Sequence, residues 1–267
     1  MNKWLRLTRF EHSVIAFLAV AAGVLIMRQP LVYALLGLSP AFLTAGVFVL
    51  NDYFDVETDR KNKRFDRPLV SGEVSGSQAL ILTFVFYALS LAIAFYSGFY
   101  AFLLILVFAF LSVFYNPVFK KKPFVGNFFV ALTMAAPFLF ANLLFSTSLN
   151  FYLSLLFLIT LTVGLGRELI QTARDVKGDR KIGARTLPMI IGVRNAVHLG
   201  LFFILAAILL SLIPYTRIFY FSLILVCDFL LLLASYEVEF NGDFKKFRNY
   251  SLYAMLVGII AFLLLPF

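Results

Sequence analysis

The sequence predicts an all-α membrane protein with about nine transmembrane helices. Hydrophobic residues make up 62% of the 267 and charged residues 14%, with a mean hydropathy of +0.93. A soluble domain cannot bury that much apolar surface. Apolar windows of about 20 residues recur along the whole chain, and the basic residues cluster between alternate windows. We therefore expect a single transmembrane domain over residues 1–267.

The apolar windows are separated by charged residues and by turn residues such as glycine and proline. A basic, amphipathic lead over residues 1–12 precedes the first window. Each window is long enough, or nearly so, to cross the hydrocarbon core of a bilayer as a helix. The nine predicted spans are 13–27, 31–50, 77–96, 99–115, 127–145, 150–166, 195–213, 217–235 and 250–266.

The distribution of lysine and arginine predicts the orientation of these spans. The lead and the even-numbered connections hold 21 of the 23 basic residues, and only Arg28 and Arg217 fall on the other side. By the positive-inside rule, the N-terminus is cytoplasmic and the C-terminus is outside the cell membrane. The 2–3 and 6–7 loops then form a cytosolic cap. The basic residues behind the net charge of +9 lie in the lead and the even-numbered connections, so the charge indicates orientation and no nucleic-acid partner. The single Cys227 excludes an internal disulfide.

An acidic motif follows the second window. Asn51, Asp55 and Asp59 are spaced four residues apart, which places them on one face of a helix. Carboxylates stacked in this way repel one another unless a cation binds between them. Basic residues follow at once, at Arg60, Lys61, Lys63, Arg64 and Arg67.

The same motif occurs a second time. Residues 175–181 read D-V-K-G-D-R-K and residues 55–61 read D-V-E-T-D-R-K, identical at five of seven positions. The two copies lie four spans apart, on the same predicted side of the membrane. This arrangement predicts two four-helix parallel repeats plus one helix, with halves of about 13–126 and 127–249. The two acidic motifs would then form the two sides of one site.

The chemistry of these motifs favours magnesium and a diphosphate. Mg²⁺ prefers oxygen ligands and is typically held by one or two carboxylates together with substrate phosphates. Arginine and lysine would neutralise the remaining negative charge. Beside an apolar bundle, the matching ligand is a lipid with a diphosphate head. If its tail is allylic, a dry, aromatic-lined chamber would stabilise the carbocation left when the diphosphate departs. The candidate cations are Arg9, Arg64, Arg67, Lys120–Lys122 and Arg185.

Four motifs together resemble the UbiA superfamily of intramembrane prenyltransferases, over nearly the whole chain. They are N-D-x-x-D-x-x-x-D at Asn51–Asp59, R-P-L at Arg67–Leu69, Y-N-P-x-x-K at Tyr115–Lys120, and D-x-x-G-D-x-x-x-G-x-x-T-L-P at Asp175–Pro188. The resemblance implies that Asp55, Asp59, Asp175 and Asp179 are catalytic and, with Asn51, hold Mg²⁺. It also implies that Tyr115 and Lys120 belong to the diphosphate-binding site, and that a prenyl tail lies between the helices.

One position departs from that family. Many members have a further aspartate three residues before the position of Asp175, where this chain has Thr172. A proton-accepting role for that aspartate cannot be transferred, although Glu168, one turn earlier, is a candidate substitute. A salt bridge from Glu168 to Arg167 or Arg174 is the alternative.

The acceptor remains open at this point. The R-P-L-V-S-G-E-V-S stretch is most similar to the archaeal ether-lipid branch, which transfers a second geranylgeranyl group to geranylgeranylglyceryl phosphate. The alternative is an aromatic acceptor of the hydroxybenzoate or naphthoate type. Two other classes are a transporter built of parallel repeats, disfavoured because the acids cluster at one surface, and a protein that binds prenyl lipids without turnover.

Overall fold

The computed structural model describes residues 2–61, 63–120, 122–181, 183 and 185–267. Lys121, one of the predicted cations, lies outside the described residues. Within these ranges the regular structure is helical, and a 3-10 helix at Leu31–Gly37 and a π-helical turn at Tyr115–Phe119 supplement the α-helices. The α-helices are α1 (Lys3–Thr8), α2 (Phe10–Ile26), α3 (Leu38–Lys61), α4 (Gly76–Phe95), α5 (Phe99–Phe114), α6 (Val125–Leu143), α7 (Phe151–Lys181), α8 (Leu187–Ile191), α9 (Val193–Ser211), α10 (Ile218–Phe240) and α11 (Phe244–Leu264).

Nine of these helices correspond to the nine predicted spans. Eight of them, α3 to α7 and α9 to α11, are long and apolar enough to cross a membrane, in two cases together with the adjoining 3-10 or π segment. The ninth, α2, is apolar but shorter, with 17 residues. The prediction of an all-α membrane protein with about nine spanning helices is therefore confirmed.

Local sequence signals fix where several helices begin. Ser75 caps α4 by accepting a hydrogen bond from the Gln78 amide, and the Gln78 side chain accepts one from the Ser75 amide in return. The Asn150 carboxamide oxygen accepts from two amides in the first turn of α7. These side chains satisfy amides that have no partner within the helix. Gly98, at φ +90°, makes the tight turn from α4 to α5.

The long helices form a closed ring. Each contacts the next along the chain, and α11 returns to pack on α2. The α2 helix also contacts α6 and α7, so it is packed against helices from both sides of the ring. Small residues allow α7 and α9 to approach closely: a Cβ added to Gly166 would lie 2.5 Å from the carbonyl oxygen of Gly200.

Two helices are longer than the apolar windows predicted. The windows ended at residues 50 and 166, but α3 continues to Lys61 and α7 to Lys181. Hydropathy falls at the first charged side chains, while the backbone hydrogen bonds of a helix do not depend on side-chain polarity. As a result, both acidic motifs lie on rigid helical extensions that leave the apolar part of the bundle.

The connections near these extensions are packed. Leu69 and Val74, between α3 and α4, contact Leu7 of α1 in a small apolar cluster. The Arg6 guanidinium also donates to the Glu73 carboxylate at 2.5 Å, and this charge-assisted contact lowers the pKa of Glu73. On the other side of the ring, α8 packs on α7 and α9. These connections surround the end of the ring that carries the acidic motifs.

Candidate active site

Both acidic motifs line one cavity. A cavity of about 520 Å³, the polar cavity, is lined by Asp55 and Asp59 of α3 and by Asp175 and Asp179 of α7. The predicted convergence of the two motifs is therefore seen in the structure. A second, larger cavity of about 650 Å³, the main cavity, adjoins it and extends into the apolar bundle. Residues that line both cavities include Asp55, Tyr115, Lys120, Glu168 and Asp175.

The first motif is held by side chains from the connection after α5. The Asn116 amide donates to the Asn51 carboxamide oxygen at 2.7 Å. The Lys120 ammonium contacts both oxygens of Asp55, at 2.5 and 2.6 Å. The Y-N-P-x-x-K motif thus contacts the N-D-x-x-D motif directly. Asn116 is a functional candidate that we did not single out from the sequence, although it lies within that motif.

A partly buried arginine joins two buried carboxylates of α3. The Arg67 guanidinium pairs with Asp52 and with Asp59, the latter at 3.4 Å from its Nε atom. Arg9 also pairs with Asp52, at 3.3 Å, and Arg64 pairs with Asp59 at 3.5 Å. Asp52 is only 3% exposed. It was not among the predicted site residues, because the i, i+4 pattern placed it on a neighbouring face.

The second motif is less fully neutralised. The Arg174 guanidinium binds Asp175 through two hydrogen bonds of 2.8 and 2.7 Å. Burial and the nearby charges of Asp175 and Asp55 raise the pKa of the Asp179 carboxyl to about 6. Asp179, one turn beyond Asp175, is therefore a partly buried carboxyl group near two other carboxylates.

The cavity fits a hard divalent cation only together with a substrate. Among the described residues, no three acidic, histidine or cysteine side chains are close enough to enclose a metal ion by themselves. Instead, carboxylates of α3 and α7 line the same cavity, and burial together with the neighbouring carboxylates raises the pKa of Asp179. Mg²⁺ typically takes one or two carboxylates and completes its shell with water and phosphate oxygens. The donor set therefore suits Mg²⁺ bound with a diphosphate.

The remaining residues predicted to bind the diphosphate differ in position. Arg9 lines the main cavity, with its guanidinium 4.4 Å from the Phe48 ring centre. Tyr115 lines both cavities and stacks on Phe129 at 5.7 Å. Arg185 is exposed before α8 and is not part of either cavity wall in the described portion of the chain. The structure thus places Arg64, Tyr115 and Lys120 on the wall of the polar cavity, and Arg9 and Arg67 on the wall of the main cavity.

Thr172, the departure from the family pattern, is tied to α6. The Asn127 amide donates to the Thr172 hydroxyl at 2.6 Å, and this hydroxyl donates to the Glu168 carbonyl oxygen at 2.8 Å. Within the described residues, the Glu168 carboxylate accepts from Gln171 at 3.4 Å and has no basic group within 4 Å. The alternative of a salt bridge from Glu168 to a neighbouring arginine is therefore not what the structure shows.

The deep part of the main cavity is apolar and partly aromatic. Phe108, Phe138 and Phe262 contribute to its lining. Along α7, lining residues run from Ile159 to Asp175, a distance of about 24 Å at 1.5 Å per residue. The cavity thus provides a long apolar space that begins beside the acidic motifs.

A polar pair lines the same cavity on α9 and α10. Ser211, the last residue of α9, donates a hydrogen bond of 2.8 Å to Asp228 of α10. Both side chains are buried. Asp228 therefore bonds α10 to the end of α9.

Known proteins resemble this chain over its whole length. The family model for the UbiA prenyltransferase family matches residues 12–265. A protein named digeranylgeranylglyceryl phosphate synthase, from Archaeoglobus fulgidus, is 34% identical, over 96% of this chain and 92% of the relative. A structure described as a study of digeranylgeranylglyceryl phosphate synthase in membranes superposes with a TM-score of 0.71 at 27% identity, covering 98% of this chain and 96% of that one.

A further structure has the same fold. It is a UbiA homologue from Archaeoglobus fulgidus bound to GPP and Mg²⁺, with a TM-score of 0.65 at 21% identity over 98% of this chain and 99% of that one. The ring of helices agrees with these matches. The protein described here is a multi-pass membrane protein, and it belongs to the UbiA prenyltransferase family.

Proposed function

We propose that this protein transfers a geranylgeranyl group from geranylgeranyl diphosphate to geranylgeranylglyceryl phosphate, with Mg²⁺, in archaeal ether-lipid synthesis. The observation that carries the proposal is the full-length match to a relative named for that product, at 34% identity. The site supports it, because carboxylates, basic side chains and a long apolar cavity occur together.

The polar cavity would bind the diphosphate head. Asp55 and Asp59 on one wall and Asp175 and Asp179 on the other would hold the cation, with the Asn51 oxygen beside them. When bound, Mg²⁺ supplies positive charge that stabilises the departing diphosphate. Arg64, Arg67 and Lys120 lie among these carboxylates, and their N–H groups would turn to the phosphate oxygens, with the Tyr115 hydroxyl nearby.

The main cavity would hold the tail and exclude water. In the reaction, the bond between the first prenyl carbon and the diphosphate oxygen breaks, and the diphosphate leaves with the electron pair. The acceptor's glycerol hydroxyl oxygen then bonds to that carbon and loses its proton. Glu168, which lines both cavities, is the candidate to accept this proton. The aromatic lining would protect the prenyl cation from water.

The orientation and the repeat belong to the same proposal. Basic residues from five segments of the chain, Arg9, Arg64, Lys120, Arg174 and Arg248, line the two cavities at one end of the ring. That end would face the cytoplasm and the C-terminus would lie outside. The halves 13–126 and 127–249 would each contribute one acidic motif and, with the connections after α3 and α7, build the cap over the site.

Acceptor competition tests the proposal. Purified protein in detergent would receive Mg²⁺, labelled geranylgeranyl diphosphate, and a mixture of geranylgeranylglyceryl phosphate, 4-hydroxybenzoate and dihydroxynaphthoate. We expect label on the glyceryl phosphate and a requirement for Mg²⁺. Label on an aromatic ring would instead assign the protein to quinone synthesis. Binding of the diphosphate without any release would support a protein that carries prenyl lipids without turnover.

A further inference from the structure

Three arginines line the main cavity on the side of α2, α7 and α11. Arg167 belongs to α7, Arg248 to α11, and Arg9 immediately precedes α2. Together they are called the arginine wall here. In the described part of the chain, none of the three lines the polar cavity. The wall is therefore a concentration of positive charge in the main cavity, beside the acidic motifs. Arg9 is linked to Arg67 through Asp52, whereas Arg167 and Arg248 pair with neither Asp55 nor Asp59 among the described residues.

Arg167 is the most informative member of the wall. Its side chain is 7% exposed, and its Nε atom donates to the Ser251 hydroxyl of α11 at 3.2 Å. Among the described residues, no carboxylate oxygen lies within 4 Å of Arg167 or of Arg248. The neighbouring acid, Glu168, is engaged with Gln171. A guanidinium removed from water without an ionic partner is costly, and a charged side chain inside a membrane bundle commonly marks a ligand path.

The three guanidinium groups interact electrostatically. Arg248 and Arg9 both act electrostatically on Arg167, and all three act on His12 of α2. Only Arg9 has a carboxylate partner in the described structure, Asp52 at 3.3 Å, and it shares this partner with Arg67. Like charges gathered in a cavity repel one another unless an anion binds between them. Glu168 is the acid that acts most strongly on Arg167, but among the described residues it forms no ion pair with Arg167 or Arg248. The cavity wall can therefore accept a further anion.

We propose that Arg167 and Arg248, assisted by Arg9, bind the phosphate monoester of the acceptor lipid. This inference rests on the proposed function, in which the acceptor bears a phosphate. Two anionic heads must bind at once, and the acidic motifs with Arg64, Arg67 and Lys120 already form the place for the diphosphate. Arginine suits the second head because its planar fork binds phosphate oxygens in pairs.

The position of the wall agrees with this role. Arg167 precedes Asp175 on α7 by eight residues, which is about 12 Å along a helix. An acceptor phosphate at Arg167 would therefore lie inward of the metal-binding carboxylates, and the acceptor's glycerol hydroxyl could reach toward the prenyl carbon. Glu168, the candidate proton acceptor, is adjacent to Arg167 in the chain and lines the same cavity. The acceptor's own tail would continue along the apolar part of the main cavity.

The test compares two acceptors that differ only in the phosphate. Geranylgeranylglyceryl phosphate and geranylgeranylglycerol would each be supplied to purified wild-type, Arg167→Gln and Arg248→Gln protein, with labelled geranylgeranyl diphosphate. Loss of one charged hydrogen-bonding contact should lower kcat/KM for the phosphorylated acceptor about tenfold or more, through KM. The kcat/KM for the unphosphorylated acceptor and the KM for the diphosphate should stay within about twofold of wild type, because neither substrate uses the site that binds the acceptor phosphate.

Controls make each outcome decisive. Arg194→Gln, an exposed arginine in the first turn of α9, should change neither acceptor. Arg167→Lys keeps the charge and should recover part of the preference for phosphate. Arg248 is exposed, so its variant keeps the test valid if Arg167→Gln does not fold. Equal losses with both acceptors, or a matching rise in the KM for the diphosphate, would overturn the assignment. Wild-type protein that transfers to neither acceptor would instead refute the proposed function, and this inference with it.

Discussion

Arg67→Ala is the substitution for which the structure makes the sharpest prediction. Arg67 bridges Asp52 and Asp59, which are 3% and 5% exposed. Breaking a buried ion pair from one side costs about 3–5 kcal/mol, because the remaining charge stays buried. Arg9 would still pair with Asp52 and Arg64 with Asp59, so we expect a loss of about 3 kcal/mol in the free energy of unfolding, at the lower end of that range.

The same change should weaken binding of the prenyl diphosphate. A hydrogen bond to a charged group contributes about 1.5–3 kcal/mol, which corresponds to a rise in KM of about ten- to a hundredfold. The assay is release of diphosphate from labelled geranylgeranyl diphosphate, together with unfolding in detergent followed by circular dichroism. Arg67→Lys should be intermediate, because a lysine keeps the charge but cannot bridge two carboxylates with a planar fork.

Arg217→Ala is the matched control. Arg217 precedes α10 at the end of the ring away from the acidic motifs, where its guanidinium lies 5.8 Å from the ring of Tyr152. We expect its substitution to leave the KM for the diphosphate within about twofold of wild type, since it contacts no part of the site. Equal effects of the two substitutions on KM would refute the assignment of Arg67 to the anion site.

Four further predictions test other parts of the structure. Asp179→Ala should abolish diphosphate release while the protein still folds; wild-type rates would remove Asp179 from the metal site. With a pKa of about 6, the ionised fraction of Asp179 falls from about nine-tenths at pH 7 to about one-tenth at pH 5. The Mg²⁺ concentration needed for half-maximal release of diphosphate should therefore rise about tenfold over that interval. An Asp179→Asn protein with residual activity and the same pH profile would contradict this prediction. Ser211→Ala should lower stability by about 1–3 kcal/mol because it leaves the buried Asp228 without its hydrogen bond, which thermal unfolding would detect. Gly166→Ala should separate α7 from α9 and lower the unfolding midpoint, since its Cβ would lie 2.5 Å from the Gly200 carbonyl oxygen; an unchanged midpoint would show that the two helices can shift apart freely.

The sequence by itself determined the fold class and most of the acidic site. Hydropathy and the distribution of charge can be read along the chain, and they were sufficient to predict the nine spanning helices. The i, i+4 spacing of Asn51, Asp55 and Asp59 was sufficient to place these residues on one helical face. The repeat at residue 175 indicated a second wall, because matching motifs four spans apart occupy the same side of a membrane.

Tertiary structure decided which basic side chains pair with which carboxylates. Asp52 was assigned to a neighbouring face of α3, yet it is the residue that holds Arg67 and Arg9. Its partners come from segments 43 and 15 residues away, and no local spacing encodes such contacts. The windows also stopped before the ends of α3 and α7, because hydropathy falls at charged residues although helical hydrogen bonding continues. Arg185, expected beside the second motif, is exposed away from the cavity walls.

The arginine wall is also a feature that only the tertiary structure shows. In the sequence, Arg167 and Arg248 are two of many basic residues on one predicted side of the membrane. The orientation of the chain in the membrane is sufficient to explain each of them. Only the closing of α11 onto α2 and α7 places both on the wall of one cavity. Long-range packing creates that charge density, since electrostatic free energy depends on distances in space and on burial, and sequence separation fixes neither.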